Sequence, residues 1–342
     1  KRRQAAALQG GAHSSCTKKD SDRMLGFEAM RLEVVIPTYN RADLLPVCLQ
    51  SLLDAKVPDG MTVGITVVDN NSKDNTKAVI ESWKPRFDGR LQYLFEAKQG
   101  RSAALNCGIT GSQSDLIGYI DDDEEIDAAW YQTVHEVFTS SDVDFIGGPY
   151  IPKWEQEPPA WLPHDHEGVI GLVDAGSQVI PYDENYPGIL MGGNAVVRRA
   201  AIEKVGLYMT SLGRTGARLL AGEDEDMYRR LLASGAKGLY LPHLKIYHLV
   251  PAARLTKKYY RQWSFWRGVS CGVLDRTQPQ NVSYLLGVPR YLFGAATRGL
   301  LRWTTSHLRP RVEPSRTFTN ELAIWDLAGF FYGKHFYKTE SA

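Results

Sequence analysis

The sequence predicts an α/β fold, a mostly parallel sheet with helices on both faces, followed by a helical C-terminal extension. Three observations predict it. Short apolar runs recur, each followed by a stretch with helical spacing; the runs end in polar or acidic residues; and beyond residue 250 the composition turns basic and aromatic.

Leu32-Glu33-Val34-Val35-Ile36, stopped by Pro37, reads as a buried strand. The helix after it carries Leu44, Leu45, Cys48, Leu49, Leu52 and Leu53, and Val63 to Val68 forms a second strand ending at Asp69. Ala78-Val79-Ile80 sits in a helix, Leu91-Tyr93-Phe95 alternates as a strand, and Ser102 to Ile109 is helical. Leu116 to Ile120 is a fourth strand, and Trp130, Val134, Val137 and Phe138 mark the helix that follows. This alternation gives a sheet whose ligands bind beyond the carboxyl ends of its strands. Pro149 to Pro163, rich in proline and tryptophan, is expected to be a long surface loop, and a helix spans about Glu223 to Ser234, ended by Gly235. The predicted organisation is a disordered tail over 1–30, a catalytic domain over 31–250, and a basic, aromatic, helical region over 251–342.

Composition narrows the classes. With 43% hydrophobic and 23% charged residues the chain is an ordinary globular protein, and a net charge of +1 excludes a generally acidic or basic partner. Cys16, Cys48, Cys107 and Cys271 lie far apart, as free thiols of a reducing compartment do, and no secretory signal is read in residues 1–30. A cytoplasmic protein is expected.

The residues after each strand carry the chemistry. Pro37-Thr38-Tyr39-Asn40 offers no glycine-rich phosphate loop. Asp69-Asn70-Asn71-Ser72 either shapes a turn or accepts hydrogen bonds from a base or ribose. Asp121-Asp122-Asp123-Glu124-Glu125 is different, because five acids after a buried strand repel one another unless compensated. Carboxylates of this kind hold Mg²⁺ or Mn²⁺ against substrate phosphates. Asp224, in Gly222-Glu223-Asp224-Glu225-Asp226, is either a helix cap or a general base. His248, after the predicted strand 244–247, is either a metal ligand or a packed histidine, and His164-Asp165-His166-Glu167 reads as loop. Trp154 and Trp161 either stack on an acceptor sugar or anchor the loop.

Taken in order, Val34-Val35-Ile36-Pro37-Thr38-Tyr39-Asn40-Arg41, Val67-Val68-Asp69-Asn70-Asn71-Ser72, Gly100-Arg101-Ser102-Ala103-Ala104-Leu105-Asn106, Asp121-Asp122-Asp123, Gly192-Gly193-Asn194 and Glu223-Asp224 resemble the inverting family 2 glycosyltransferases of GT-A fold. The resemblance covers about residues 32–250. It implies a Rossmann-like catalytic domain that moves a sugar from a nucleoside diphosphate sugar to a hydroxyl of a saccharide or lipid-linked acceptor. Pro37, Tyr39 and Asp69 would line the base pocket, Arg101 would reach the base or the phosphates, and Asp121 and Asp122 would meet the donor. Asp123, with His248, would hold Mn²⁺ or Mg²⁺. Asp224 matches the catalytic base and Glu223 its neighbour, and Asn194 joins Trp154 and Trp161 as an acceptor contact. The rivals are a nucleotidyltransferase and a catalytically silent nucleotide-sugar or saccharide-binding module.

From Ala252 to Arg311 eleven basic residues face one acid, Asp275. Between Tyr284 and Trp303, Arg290, Arg298 and Arg302 fall on one side of a helical wheel and Leu285, Leu292, Phe293, Leu300 and Trp303 on the other. The segment suits either an anionic bilayer surface, on the inner face of a membrane, or packing on the catalytic domain; nucleic acid is not expected.

Overall fold

The computed structural model describes residues 29–163, 168–214, 219, 221–307 and 314–338; the expected tail and the 164–167 cluster lie outside the described residues, apart from residues 29 and 30 of the tail. The first half of the chain is strand-helix alternation. Strands β1 (Met30–Thr38), β2 (Met61–Asp69), β3 (Leu91–Phe95) and β4 (Leu116–Tyr119) lie in the order β3-β2-β1-β4, all parallel. Helices α1 (Leu45–Asp54), α2 (Thr76–Trp83) and α3 (Arg101–Gly111) make the crossovers that parallel pairing requires. Because β2 and β4 flank β1 on opposite sides, the sheet reverses its winding there. The crevice beyond β1 and β4 is therefore the place for a ligand.

Strand β5 (Glu124–Ile126) and helix α4 (Trp130–Ser140) follow, then β6 (Phe145–Gly147), β7 (Tyr150–Trp154) and β8 (Ile180–Tyr182). Next come β9 (Ala195–Arg198), α5 (Arg199–Val205), α6 (Glu223–Ala233), β10 (Gly238–Tyr240) and β11 (Ile246–Val250). The main sheet grows to eight strands, with β9 antiparallel between β4 and β6. On one face α1, α2 and α4 pack Leu45, Leu49, Leu52, Ile80, Trp130 and Val134 against Val34, Ile36, Ile65 and Val67. On the other, α3, α5 and α6 pack Leu105, Ile109, Ile202, Met227 and Leu231 against Val35, Val68, Ile117 and Val197. Alternate residues of the same strands serve the two cores, the period-two rule of a sheet covered on both sides.

Two expectations need correction. Pro149–Pro163 is not all loop: Tyr150–Trp154 is β7, paired parallel with β11 in a small β5-β11-β7 sheet. His248 stands inside β11 rather than after a strand, so its neighbours in the ladder fix its direction.

The C-terminal region is helical, as expected, with α7 (Lys257–Thr277), a hairpin of β12 (Tyr284–Leu285) and β13 (Val288–Pro289), α8 (Arg290–His307) and α9 (Pro314–His335). The predicted amphipathic helix therefore starts at Arg290, not Tyr284. Helices α7 and α9 meet backbone to backbone, where any side chain at Gly268, Gly272, Gly329 or Gly333 would strike the opposite main chain. Their aromatic side packs on the catalytic domain: Tyr260 and Phe318 join Val169, Ile170 and Val250 in one cluster. Helix α8 turns Leu300, Leu301, Arg298 and Arg302 outward. No helix among the described residues is long and apolar enough to cross a membrane.

Candidate active site

A cavity of about 670 Å³ opens where the strand order predicts, walled by the ends of β1 and β4, the start of α6, His248 of β11 and one side of α7. Pro37, Thr38 and Tyr39 supply the β1 edge, and Asp121, Asp122 and Asp123 stand opposite. Asp69 does not line the cavity. It is buried, with one oxygen accepting from the Ser72 amide (2.8 Å) and the other from the Tyr93 hydroxyl (3.1 Å), the geometry of a turn-shaping residue.

The acidic run is compensated by protein groups. Asp121 accepts from Arg101 Nε (3.1 Å) and Nη2 (3.0 Å). Asp122 accepts from the Thr38 hydroxyl (2.7 Å), while burial, and then Asp123 beside it, push its carboxyl up to about 7. Asp123 accepts from Arg254 Nη2 (2.9 Å). Its burial opposes ionisation, but the Arg254 guanidinium beside it outweighs that and holds the carboxyl below the usual range. Glu124 accepts from the Asp121 amide, and burial next to Asp121 and Asp123 raises it well above a normal carboxyl. Glu125 pairs with Lys153 at the surface.

Arg101 is the hub. It opens α3, and its nearly buried guanidinium also pairs with Asp224 (3.1 Å) and Glu223 (3.4 Å) at the start of α6. Burial disfavours the cation, but Asp121, Asp224 and Glu223 more than restore it. Helix α6 starts at Glu223, and the cap before it is Gly222, whose φ of 108° favours glycine, not Asp224. Asp224 points back to accept from the Gly192 amide (3.0 Å). Burial, then the adjacent Asp224, lift Glu223 to about 7.

The Gly192-Gly193-Asn194 element becomes intelligible at this point. A side chain on Gly192 would occupy the Asp224 carboxylate, and one on Gly193 would occupy that of Glu124. Asn194 is corrected as an acceptor contact. It is 0% exposed, accepts from the Trp130 indole (3.0 Å) and donates to the carbonyls of Leu244 (2.7 Å) and Pro149 (3.3 Å). Such a residue has no surface to offer a ligand. Trp161 acts as an anchor, edge-on to Tyr260 and Phe318 at 5.7 and 5.0 Å, with the Lys257 ammonium over its ring. Trp154 ends β7 on the surface, outside the cavity wall.

Sequence reasoning missed residues that α7 and its approach bring in: Arg254, Tyr259, Trp263 and Arg267 line the cavity, as do Arg41 and Arg214. The Tyr259 hydroxyl is buried without a hydrogen-bond partner among the described residues. The signal was available in the charge balance. An acidic run of that density demands cations nearby, and the basic segment after residue 250 was one source of them, through Arg254, beside Arg101.

For a divalent cation the fit is favourable but partial. Asp123 Oδ1 and His248 Nε2 stand 3.8 Å apart, and the two side chains address one cationic group, the Arg254 guanidinium, through Asp123 Oδ2 and His248 Nε2. Among the described residues no three or more His, Cys, Asp or Glu side chains are arranged so that they could hold a metal ion by themselves. Two protein donors completed by phosphate oxygens and water is the usual way such ions sit on nucleotides.

The comparisons agree with this architecture. The model of the family described as Glycosyl transferase family 2 matches residues 33–206, just over half of the chain. The succinoglycan biosynthesis protein ExoM of Rhizobium meliloti is 24% identical over 72% of this chain and 76% of its own. A Campylobacter jejuni protein, GalNAc(5)-diNAcBac-PP-undecaprenol beta-1,3-glucosyltransferase, is 32% identical over 28% of this chain and 30% of its own. Among solved structures, the mannosyltransferase PcManGT of Pyrobaculum calidifontis in complex with GDP-Man and Mn²⁺ is similar, with a TM-score of 0.60 at 17% identity over 89% of this chain and 86% of that one. The fold is GT-A, and the chain belongs to glycosyl transferase family 2 and is a glycosyltransferase.

Proposed function

We propose that the protein transfers a sugar from a nucleoside diphosphate sugar to a hydroxyl of a saccharide or lipid-linked saccharide, inverting the anomeric centre. One observation carries the reading: Arg101 ties the Asp121–Asp123 run to Asp224 across a single cavity, so a donor-binding edge and a candidate base face the same space. Pro37, Tyr39 and the β1 edge receive the base and ribose. Arg41 and Arg214 face the diphosphate and offset its charge. A divalent cation, Mn²⁺ or Mg²⁺, held by Asp123 and His248, would supply Lewis-acid stabilisation of the departing diphosphate.

Asp224 accepts the proton of the acceptor hydroxyl as that oxygen attacks, and a single displacement inverts the centre. Asp224 is suited to this because Arg101 and the Gly192 amide fix its carboxylate while it still lines the cavity. The acceptor enters along α7, where the half-buried Trp263 offers a ring face and Tyr259 an unpaired hydroxyl. Arg254 and the first turns of α7 thus line the proposed site. What the family supports at this level is sugar transfer; PcManGT binds GDP-Man and the Staphylococcus aureus TarS structure binds UDP, and a donor of this class fits the site above.

Calorimetric titration of nucleoside diphosphate sugars tests the donor edge. Donor affinity should fall at least about tenfold on chelation, the scale of effects at metal sites, and Asp123→Ala should remove that dependence. Equal affinity with and without chelator in the wild type would overturn the metal assignment.

The outward face of α8 and the hairpin before it suit the inner, anionic face of a membrane, where a lipid-linked acceptor resides. Leu286 is 71% exposed at the hairpin tip with φ of 51°, its carbonyl hydrogen-bonded to the ring of His335 beside exposed Phe336, and Arg298 and Arg302 lie on α8. Vesicles carrying anionic lipid should float the protein, with recovery falling as salt rises. Equal recovery on neutral vesicles would remove the electrostatic part of this reading.

A further inference from the structure

Arg254 has a position that nothing in the proposed reaction uses. It closes the short 3₁₀ turn Ala252–Arg254 between β11 and α7, and its side chain is about nine-tenths buried. One arm of the guanidinium donates to Asp123 Oδ2 at 2.9 Å, and the other meets His248 Nε2 at 2.9 Å. A guanidinium has donors only, so Nε2 must accept and the imidazole proton sits on Nδ1. That Nδ1 is buried with no partner among the described residues. The histidine is therefore oriented by a cation on its inner nitrogen and by nothing on its outer one.

This is the opposite of how ligating histidines are usually held, where the outer N–H is tied to a carboxylate or carbonyl and the lone pair is left for the metal. Here the lone pair of Nε2 and the charge of Asp123 are presented jointly, but to an arginine. The two atoms that would bind a divalent ion are already shaped around one positive charge.

We propose that Arg254 is the resident cation of the donor site, holding Asp123 and His248 in ligand geometry until a divalent ion arrives with the diphosphate and displaces it. This rests on the metal-assisted reading above. Arg254 acts here as a positioning residue. Divalent cation alone must compete with a tethered guanidinium that is always present. Cation arriving with a diphosphate has an advantage, because the displaced guanidinium can then pair with phosphate oxygens rather than lose its partners. Metal and nucleotide binding are thereby coupled through Arg254, and by linkage the coupling is reciprocal.

The test is Mn²⁺ binding measured without any nucleotide, by electron paramagnetic resonance and calorimetry, on the full chain and on Arg254→Met and Arg254→Ala. Methionine keeps the packing of the aliphatic stem, so at least one variant retains the buried contacts. Both variants should bind Mn²⁺ alone tenfold or more tightly than the wild type, and adding His248→Ala should abolish the gain. The advantage that UDP or GDP gives Mn²⁺ in the wild type should shrink in the variants. Unchanged or weaker Mn²⁺ affinity in the folded variants, or a gain that survives His248→Ala, would overturn the proposal. If the wild type binds Mn²⁺ with UDP or GDP and the variants show no gain without it, only the role of Arg254 fails. If no form binds Mn²⁺ under any condition, the metal-assisted reading fails with it.

Discussion

Arg101→Leu should destabilise the protein by about 3–5 kcal/mol, the cost of breaking a buried ion pair by removing one partner. The guanidinium is nearly buried and serves Asp121, Glu223 and Asp224 together, so its loss leaves three carboxylates around one site without their shared cation. Melting should drop by roughly 4–7 °C for a chain of this size. The pH dependence should sharpen as well. Glu223 is raised from 4.5 to about 7, so the stability it contributes is fully present below 4.5 and is lost as pH rises through about 7. Removing Arg101 removes the main group opposing that rise. The deficit should therefore be larger at pH 8 than at pH 6, and Glu223→Gln in the same chain should recover part of it. A variant that melts with the wild type at both pH values would mean that Arg101 does not hold β4 and α6 together.

The placement of Arg101 also shows what a sequence can and cannot disclose. The ends of β1, β2 and β4 were legible because apolar runs stop sharply at Pro37, Asp69 and Asp121, and the winding rule then locates the crevice. The antiparallel insertion of β9 was not, since the four residues of Ala195–Arg198 carry no mark of direction. The acidic run was recognised as needing compensation, but the partners came from positions 101 and 254, and nothing local to the run points so far along the chain. Asn194 misled for a physical reason. A polar residue between glycines and a strand looks like a surface contact, whereas here it joins Trp130 to two backbone carbonyls inside the core. Trp161 was open to two readings, and its edge contacts with Tyr260 and Phe318 match the anchoring one.

Asp224→Asn should lower turnover by about a hundredfold to ten-thousandfold, the usual cost of removing a general base, with donor affinity nearly unchanged. The substitution has a structural price because Asp224 accepts from both Arg101 and the Gly192 amide, and an asparagine has one acceptor oxygen for two donors. A stability loss of about 1–3 kcal/mol is expected from the amide left unpaired. Asp226→Asn is the matched control. Asp226 sits two residues on in the same helix, buried but paired with Arg230 and away from the cavity wall, so its loss should cost stability without the same loss of rate. The decisive measurement compares the transfer rate and the donor dissociation constant of Asp224→Asn with those of the wild type. Both are taken with the nucleotide sugar that most raises the melting temperature, at a temperature where both proteins are folded. A rate reduced a hundredfold or more at a donor affinity within a factor of a few is the predicted result. Near-normal transfer by folded Asp224→Asn would contradict the assignment of Asp224 as the base.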